Sequence, residues 1–327
     1  TAPSFLHEPP QRWSVQVPAA PGIAPTATED GLLLGTGTRI VSVAKAEGDV
    51  TWSFLTTEPC AASPVLHGER ALAAGYDGRL RGLALDSGAP ELDVELAGAV
   101  EATPAVAGDR LFVGALDGIL HGFALPEARP IFSRKLATGI VAPLLAVGND
   151  LVVVGIPGKV HRVNPEDGED MWSVQLDARV IAAPASDGTH VIVGTETGTV
   201  HCLTLADGER RWTRDVGGVI EAAPVVGLGS VFVATHDGQL ACLAMEDGRP
   251  RWTSATAARC LAAPVLVQDV LIVALWDGTV RAFDAGRGEE RWRIEGSTPI
   301  TTAPTVAHGM LYVVTLEGDL HAYGGAP

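Results

Sequence analysis

The chain has 327 residues, a formal net charge of −16, and is 46% hydrophobic but only 5% aromatic. That charge repels phosphate backbones and anionic lipid surfaces, so no nucleic-acid partner is expected. No apolar run approaches the ~20 residues that cross a bilayer, so no transmembrane segment is expected either, and Val, Leu, Ile and Ala must fill the core.

In chain order, residues 1–10 (TAPSFLHEPP) are rich in proline and polar residues and are expected to form a loose lead-in. From residue 11 to 327 one pattern recurs. Gly218–Ser254 shows it whole: an apolar strand after Ala-Ala-Pro, a second strand ending at Asp-Gly, a third ending at Asp-Gly, and a fourth carrying Trp. The prolines Pro25, Pro64, Pro104, Pro143, Pro184, Pro224, Pro264 and Pro304 mark it by their spacing of 39 to 41 residues. The fourth-strand residues Trp13, Trp52, Leu92, Phe132, Trp172, Trp212, Trp252 and Trp292 are spaced 39 once and 40 thereafter. Both counts give eight. A period of about 40 residues with alternating apolar positions and Gly-rich turns defines four short antiparallel strands per unit, here called A to D. The expected fold is all-β: a single domain over 11–327, an eight-bladed propeller of four-stranded antiparallel blades.

Proline lacks the amide hydrogen that a sheet ladder uses, which places strand A at the inner edge of each blade. Asp77-Gly78, Asp117-Gly118, Asp237-Gly238 and Asp277-Gly278 fall between strands B and C, where a hairpin demands positive φ. Trp13 lies on a strand D that precedes the first strand A, and the matching position of the last unit falls beyond Pro327. The N-terminal segment Gln11–Val17 is therefore expected to complete the last blade and close the ring. Cys60, Cys202, Cys242 and Cys260 lie in different units. Sheets packed face to face sit ~10 Å apart, beyond the ~7 Å that a disulfide tolerates between Cα atoms, so four buried free thiols are expected. No Cys-x-x-Cys spacing points to zinc.

The phrase APVV…VFVATHDGQLACLAMEDGRPRW resembles the pyrroloquinoline-quinone-type (PQQ-like) repeat. Its Asp-Gly-x-x-x-Trp docking motif stands here as Asp167-Gly168…Trp172, Asp207-Gly208…Trp212 and Asp247-Gly248…Trp252, and as Gly288…Trp292 with Arg287 replacing the acid. The resemblance implies that the Trp packs across to the next blade. It also implies two kinds of relative. The quinoprotein alcohol dehydrogenases are longer and carry inserted loops with a vicinal disulfide, a calcium site and a catalytic Asp, none of which this chain's compact repeats provide. Short members serve as propeller lipoproteins of outer-membrane barrel assembly, or as extracellular sensor regions of receptor kinases.

Three sets of residues are candidates for function. His121, His161, His201 and His321 share one phase of strand C with Arg81 and Arg281. Metal ligands must converge within ~2 Å of one ion, whereas one phase of different blades diverges, so these are read as polar caps on strand C and no metal is expected. The B–C turn tips carry Tyr76, Leu116, Ile156, Glu196, His236, Trp276 and Leu316 just ahead of the turn glycine. Turn tips are usually polar, and large apolar tips suggest a partner site with Trp and Tyr as anchors. The D–A loops emerge on the same face and bring Glu101, Arg179, Glu221 and Arg259 to the channel mouth, either for a polar ligand or to pair with one another. No nucleophile elbow or phosphate loop is present. Glu101 and Glu221, three blades apart, are the one carboxylate pair on offer.

These readings converge on a non-catalytic scaffold without cofactors. The resemblance places it in the periplasm or at the outer membrane as a monomer bound to another protein, an outer-membrane assembly component among the candidates. The alternatives are a sensor for a quinone-type ligand and the outer part of a receptor kinase.

Overall fold

Each forty-residue unit folds as its alternation demands. The computed structural model describes residues 5–18 and 24–324, and every element among them is a strand. Blade 1 is Thr26–Ala27, Gly31–Thr36, Arg39–Ala44 and Val50–Leu55, hydrogen-bonded in that order as strands A, B, C and D. Blade 2 repeats it with Val65–His67, Arg70–Ala74, Arg79–Ala84 and Pro90–Glu95, and the pattern continues through blade 7, which ends at Glu290–Ile294. Blade 8 takes Thr305–Ala307, Met310–Val314 and Asp319–Gly324 from the C-terminal end and Gln11–Gln16 from the N-terminal end as its strand D. Eight four-stranded sheets in a ring form an eight-bladed β-propeller, closed as the sequence implied. Of the expected lead-in, residues 1–4 lie outside the described residues, as do 19–23 of the crossover into blade 1 and 325–327.

Strands A line the inside of the ring, where Thr305 donates to the Pro25 carbonyl at 2.8 Å and Thr26 to that of Pro64 at 2.6 Å. Strands B and C are buried on both faces, because each blade is covered by two neighbours. The apolar core therefore lies between blades: Val152 and Val160 of blade 4 pack with Val191 and Leu203 of blade 5. One proline departs from the count. Leu144, not Pro143, occupies the phase of Pro64 and Pro104 ahead of strand A. Its amide donates to the Thr103 carbonyl at 3.0 Å, a bond proline cannot make. The uneven 39 and 41 spacings around Pro143 follow from this one-residue displacement.

The B–C hairpins also explain a spacing. In blade 2 the tip is Tyr76-Asp77-Gly78, with Gly78 at φ 66°, and the glycine repeats at Gly118, Gly198, Gly238 and Gly278 with φ between 81° and 86°. Blade 1 makes the same reversal with two residues, Gly37-Thr38, between the paired Thr36 and Arg39. One residue fewer in that turn gives the single 39-residue step of the tryptophan series.

Blades are joined through the strand D aromatics. The indole Nε1 of Trp52 donates to Leu85 O at 2.8 Å, Trp172 to Leu205 O at 2.8 Å, Trp212 to Met245 O at 2.7 Å and Trp252 to Ala285 O at 2.9 Å, each a carbonyl in the C–D turn of the following blade. The turn glycine of that blade lies flat against the ring. A Cβ on Gly248 would stand 2.6 Å from a Trp212 ring carbon, and Gly248 sits at φ 68°. Leu92 lacks the donor and meets Ala128 instead of glycine, packed in one apolar cluster. A β-bulge one residue before each of these positions leaves Arg12, Thr51, Glu91, Ile131, Met171, Arg211, Arg251 and Arg291 unpaired on the outer strands. Such bulges twist an open edge and discourage a further strand from adding to it.

The described part of the lead-in, residues 5–10, is not loose. Phe5 is buried with Trp292, Ile300 and Leu311, and Trp292 Nε1 donates to Phe5 O at 2.7 Å. Residues 5–10 thus stand where the other blades have a C–D turn, and the Gly324 amide donates to Pro10 O at 2.9 Å. Truncating the docking residue removes both a hydrogen bond and a well-filled contact. Trp212→Ala should lower the unfolding free energy by about 3–5 kcal/mol, measured by urea titration. Phe5→Ala should cost about as much, whereas a loose lead-in would leave the midpoint unmoved.

Candidate functional site

The face that carries the B–C tips is crossed by the D–A segments, and the two are stitched together. In seven crossovers one carbonyl accepts from the tip amide of the blade ahead: Tyr76 N to Pro59 O, Leu116 N to Ala99 O, Ile156 N to Gly139 O, Glu196 N to Arg179 O, His236 N to Val219 O, Trp276 N to Arg259 O and Leu316 N to Pro299 O, at 2.7–3.2 Å. In five of these crossovers the next residue, Cys60, Val100, Ile140, Ile220 or Ile300, donates back to the blade behind, as in Val100 N to Gly75 O at 3.0 Å and Ile140 N to Ala115 O at 3.1 Å. The residue at this place is a buried plug in all seven, being Cys60, Val100, Ile140, Val180, Ile220, Cys260 or Ile300. The tip amides are therefore already used, and the face offers a partner its side chains rather than a strand edge.

Below the tips, the strand C phase sets their geometry. Arg81 binds Asp77 at 2.6 Å with both side chains buried, and Thr57 donates to the same carboxylate at 2.8 Å. Burial raises the Asp77 carboxyl, but the bonds from Arg81 and Thr57 and the Arg81 charge outweigh it, and it ionises below the ordinary carboxylate range. Arg281 holds Asp277 at 3.1 Å in the same way. These are the two blades whose tips are Tyr76 and Trp276. In three of the four histidine blades the imidazole bonds strand D of its own blade: His121 Nδ1 to Ser133 at 2.8 Å, His161 Nδ1 to Asp170 at 2.8 Å and His201 Nδ1 to Thr213 at 3.3 Å, whereas His321 Nδ1 is buried without a hydrogen-bond partner. Burial pushes His121, His161, His201 and His321 below the ordinary histidine value. The four are not brought together, and among the described residues no group of His, Cys, Asp and Glu gathers as a metal site.

The tips differ in what they expose. Tyr76 and Trp276 are 40% and 38% accessible, whereas Leu116, Ile156, His236 and Leu316 are half-buried against the crossovers. Three of the four mouth residues meet tips rather than one another: Tyr76 Oη donates to Glu101 at 3.2 Å, His236 Nδ1 lies 3.0 Å from Glu221, and Arg179 lies 3.7 Å from Glu196. Burial and then the Glu101 charge raise the Tyr76 phenol. Glu101 and Glu221 share one phase, and Arg179 and Arg259 another two residues earlier. A search for apolar tips passes over Glu196, although its place in the tip series marks it, and it passes over the exposed Val219. All four cysteines are free and buried, and burial raises the Cys202 and Cys260 thiols to about 12. The vicinal disulfide that the resemblance to quinoprotein dehydrogenases implies has no counterpart among these four cysteines.

Eight blades, a tryptophan docked on the next blade's glycine, and a ring closed by the N-terminal strand define the class of PQQ-like propellers. The family profile described as "Outer membrane protein assembly factor BamB" matches residues 10–154, 126–223, 157–278 and 259–326, and the chain belongs to that family. No curated protein matches it in sequence. Among solved structures, BamB from Moraxella catarrhalis superposes with a TM-score of 0.82 at 16% identity, covering 96% of this chain and 99% of that one. The computationally designed Ika8 protein gives 0.86 at 14% identity over 97% and 100% of the two chains. A quinohemoprotein alcohol dehydrogenase from Pseudomonas putida HK5 gives 0.78 at 11% identity over 97% of this chain and 76% of its own. At these identities the likeness is one of fold.

Breaking one buried anchor leaves a carboxylate without its partner. Arg81→Gln should cost about 3–5 kcal/mol, read as a lowered urea midpoint. The histidines set a pH dependence whose sign is fixed. Because their folded values lie below the unfolded 6.5, the unfolded chain binds more protons, and their contribution, present above pH 6.5, is lost as pH falls toward the folded values. The melting temperature should drop between pH 7 and 5, and less steeply in His121→Gln/His201→Gln.

Proposed function

We propose that the protein is a non-catalytic interaction scaffold of the bacterial envelope that presents its B–C/D–A face to a protein partner in outer-membrane protein assembly. The observation that carries this is the pair of exposed aromatics, Tyr76 and Trp276, on turns held by buried or half-buried Arg–Asp pairs. An aromatic kept rigid before binding loses little conformational freedom on docking, as interface anchors require. The family description and the Moraxella catarrhalis neighbour support the envelope setting. In this reading residues 11–327 act as one domain behind the lead-in 1–10, the protein works as a periplasmic or outer-membrane-associated monomer, and Leu116, Ile156, His236 and Leu316 extend the contact around the aromatics. Phe5 and Gly324 both lie on the opposite, C–D side of the ring, so a tether at either end would leave the docking face free.

The alcohol dehydrogenase neighbour supports a second reading, a small-ligand or quinone sensor with Glu101, Arg179, Glu221 and Arg259 at the mouth. Tyr76→Ala/Trp276→Ala should abolish capture of the partner isolated from the native host while the melting temperature moves by no more than a few degrees. Undiminished capture removes the scaffold reading. Adding pyrroloquinoline quinone and calcium should leave the melt and the absorbance spectrum unchanged, and a raised melting temperature would favour the sensor.

A further inference from the structure

We infer that the segment this face receives is a peptide stretch with an apolar centre and basic residues at both ends. The inference rests on the docking role proposed above and adds the chemistry of the partner. Between blades 2 and 6 the mouth carries half-buried apolar side chains, Leu116 and Ile156 from the tips and Val141 and Ile181 from the crossovers. A carboxylate stands at each end of this arc, Glu101 beside Tyr76 and Glu221 beside His236.

Among the described residues neither carboxylate has an Arg or Lys within 4.0 Å, and the one ionisable base paired with either is His236, 3.0 Å from Glu221. Arg179, the cation nearest in sequence to Ile181 on the same crossover, lies 3.7 Å from Glu196. The Tyr76 hydroxyl and the His236 imidazole each hold one oxygen of their glutamate, which orients the carboxylate while leaving the other oxygen for an incoming donor. Three blade steps separate the two. With packed sheets ~10 Å apart the span is on the order of 20 Å, the reach of about six extended residues. The outer strands are bulged and the tip amides are taken. Recognition therefore falls to side chains: apolar contacts over the middle and ion pairs at the ends, with the net charge of −16 steering a cationic segment inward.

The test uses three synthetic ten-residue peptides and the whole chain in calorimetric titrations at low and at physiological salt. One peptide has a Leu/Val/Ile centre between Arg-Arg ends, one has the same centre between Glu-Glu ends, and one keeps the Arg-Arg ends around a Ser centre. The first should bind, with affinity falling as salt rises, and the other two should bind at least tenfold more weakly. Glu101→Gln/Glu221→Gln, which keeps an acceptor for Tyr76 and His236, should weaken the first peptide about tenfold with the melting temperature unchanged. Absence of binding by the first peptide, equal binding by either control, or an unaffected Gln double variant overturns the inference. The two proposals fail separately. If Tyr76→Ala/Trp276→Ala still captures the native partner, the docking role is lost. If that variant loses the partner while the Gln variant retains its affinity and salt dependence, only the basic–apolar–basic chemistry is lost.

Discussion

The ring depends on one contact made repeatedly: an indole from strand D lying on a glycine in the next blade's C–D turn, with its N–H on a carbonyl of that turn. The glycine has two reasons to be there. Its backbone sits at positive φ, and any Cβ would enter the ring system; both hold at Gly88, Gly208, Gly248 and Gly288. The indole must also be satisfied once it is half-buried, and the turn carbonyl does so at the same geometry each time. A four-stranded sheet of this size has two apolar faces and no helix to cover them, so a blade without its neighbours would expose both. Docking by tryptophan sets the spacing at which both faces are covered at once.

That constraint makes the chain ends a problem, and the answer is visible in residues 5–16. Blade 8 lacks its own strand D, and Gln11–Gln16 fills that place. Trp292 docks where the other blades present a C–D turn, and there Phe5 supplies both the carbonyl and the apolar contact. Closure is thus held at two points, a ladder along the outer strand and a plug beneath it. It joins chain ends more than 300 residues apart without covalent linkage.

Much of this was legible in the sequence because periodicity reports geometry directly. Two independent series counted eight units, and the position of Trp13 ahead of Pro25 implied the closure. What escaped was of another kind. Pro143 carries the right letter one residue out of phase, and only the Leu144 amide bond shows which position matters. Phe5, set with Leu6 among prolines and polar residues, has no periodic neighbour to mark it as core. The candidate site was legible as positions but not as exposures. Leu116 and Trp276 occupy equivalent tips, yet how far each stands clear depends on the crossover beside it, which the repeat pattern does not encode. Arg81 and His121 were legible as one phase, but their different tasks depend on their partners. Asp77 sits four residues back from Arg81 where the arginine can reach it, whereas His121 turns to Ser133 on the adjoining strand.

The same stitching that makes the ring rigid decides what kind of recognition it can support. Seven tip amides are bonded to crossover carbonyls and the outer edges are bulged, so the backbone has little left to offer an incoming strand. Variation is confined to side chains that project from a fixed frame, and in that frame one change of letter alters the surface without altering the fold. The designed Ika8 protein and the alcohol dehydrogenase share the frame at 14% and 11% identity, as expected when the frame is specified by glycine, tryptophan and alternation alone. Function then has to be carried by the few positions the frame leaves free. In this chain the aromatics among them stand on anchored turns, the carboxylates are oriented without an Arg or Lys partner, and the apolar side chains lie between. In the docking role proposed above, such a surface would hold another polypeptide in one orientation, since Glu101 and Glu221 are each held by a tip side chain before the partner arrives.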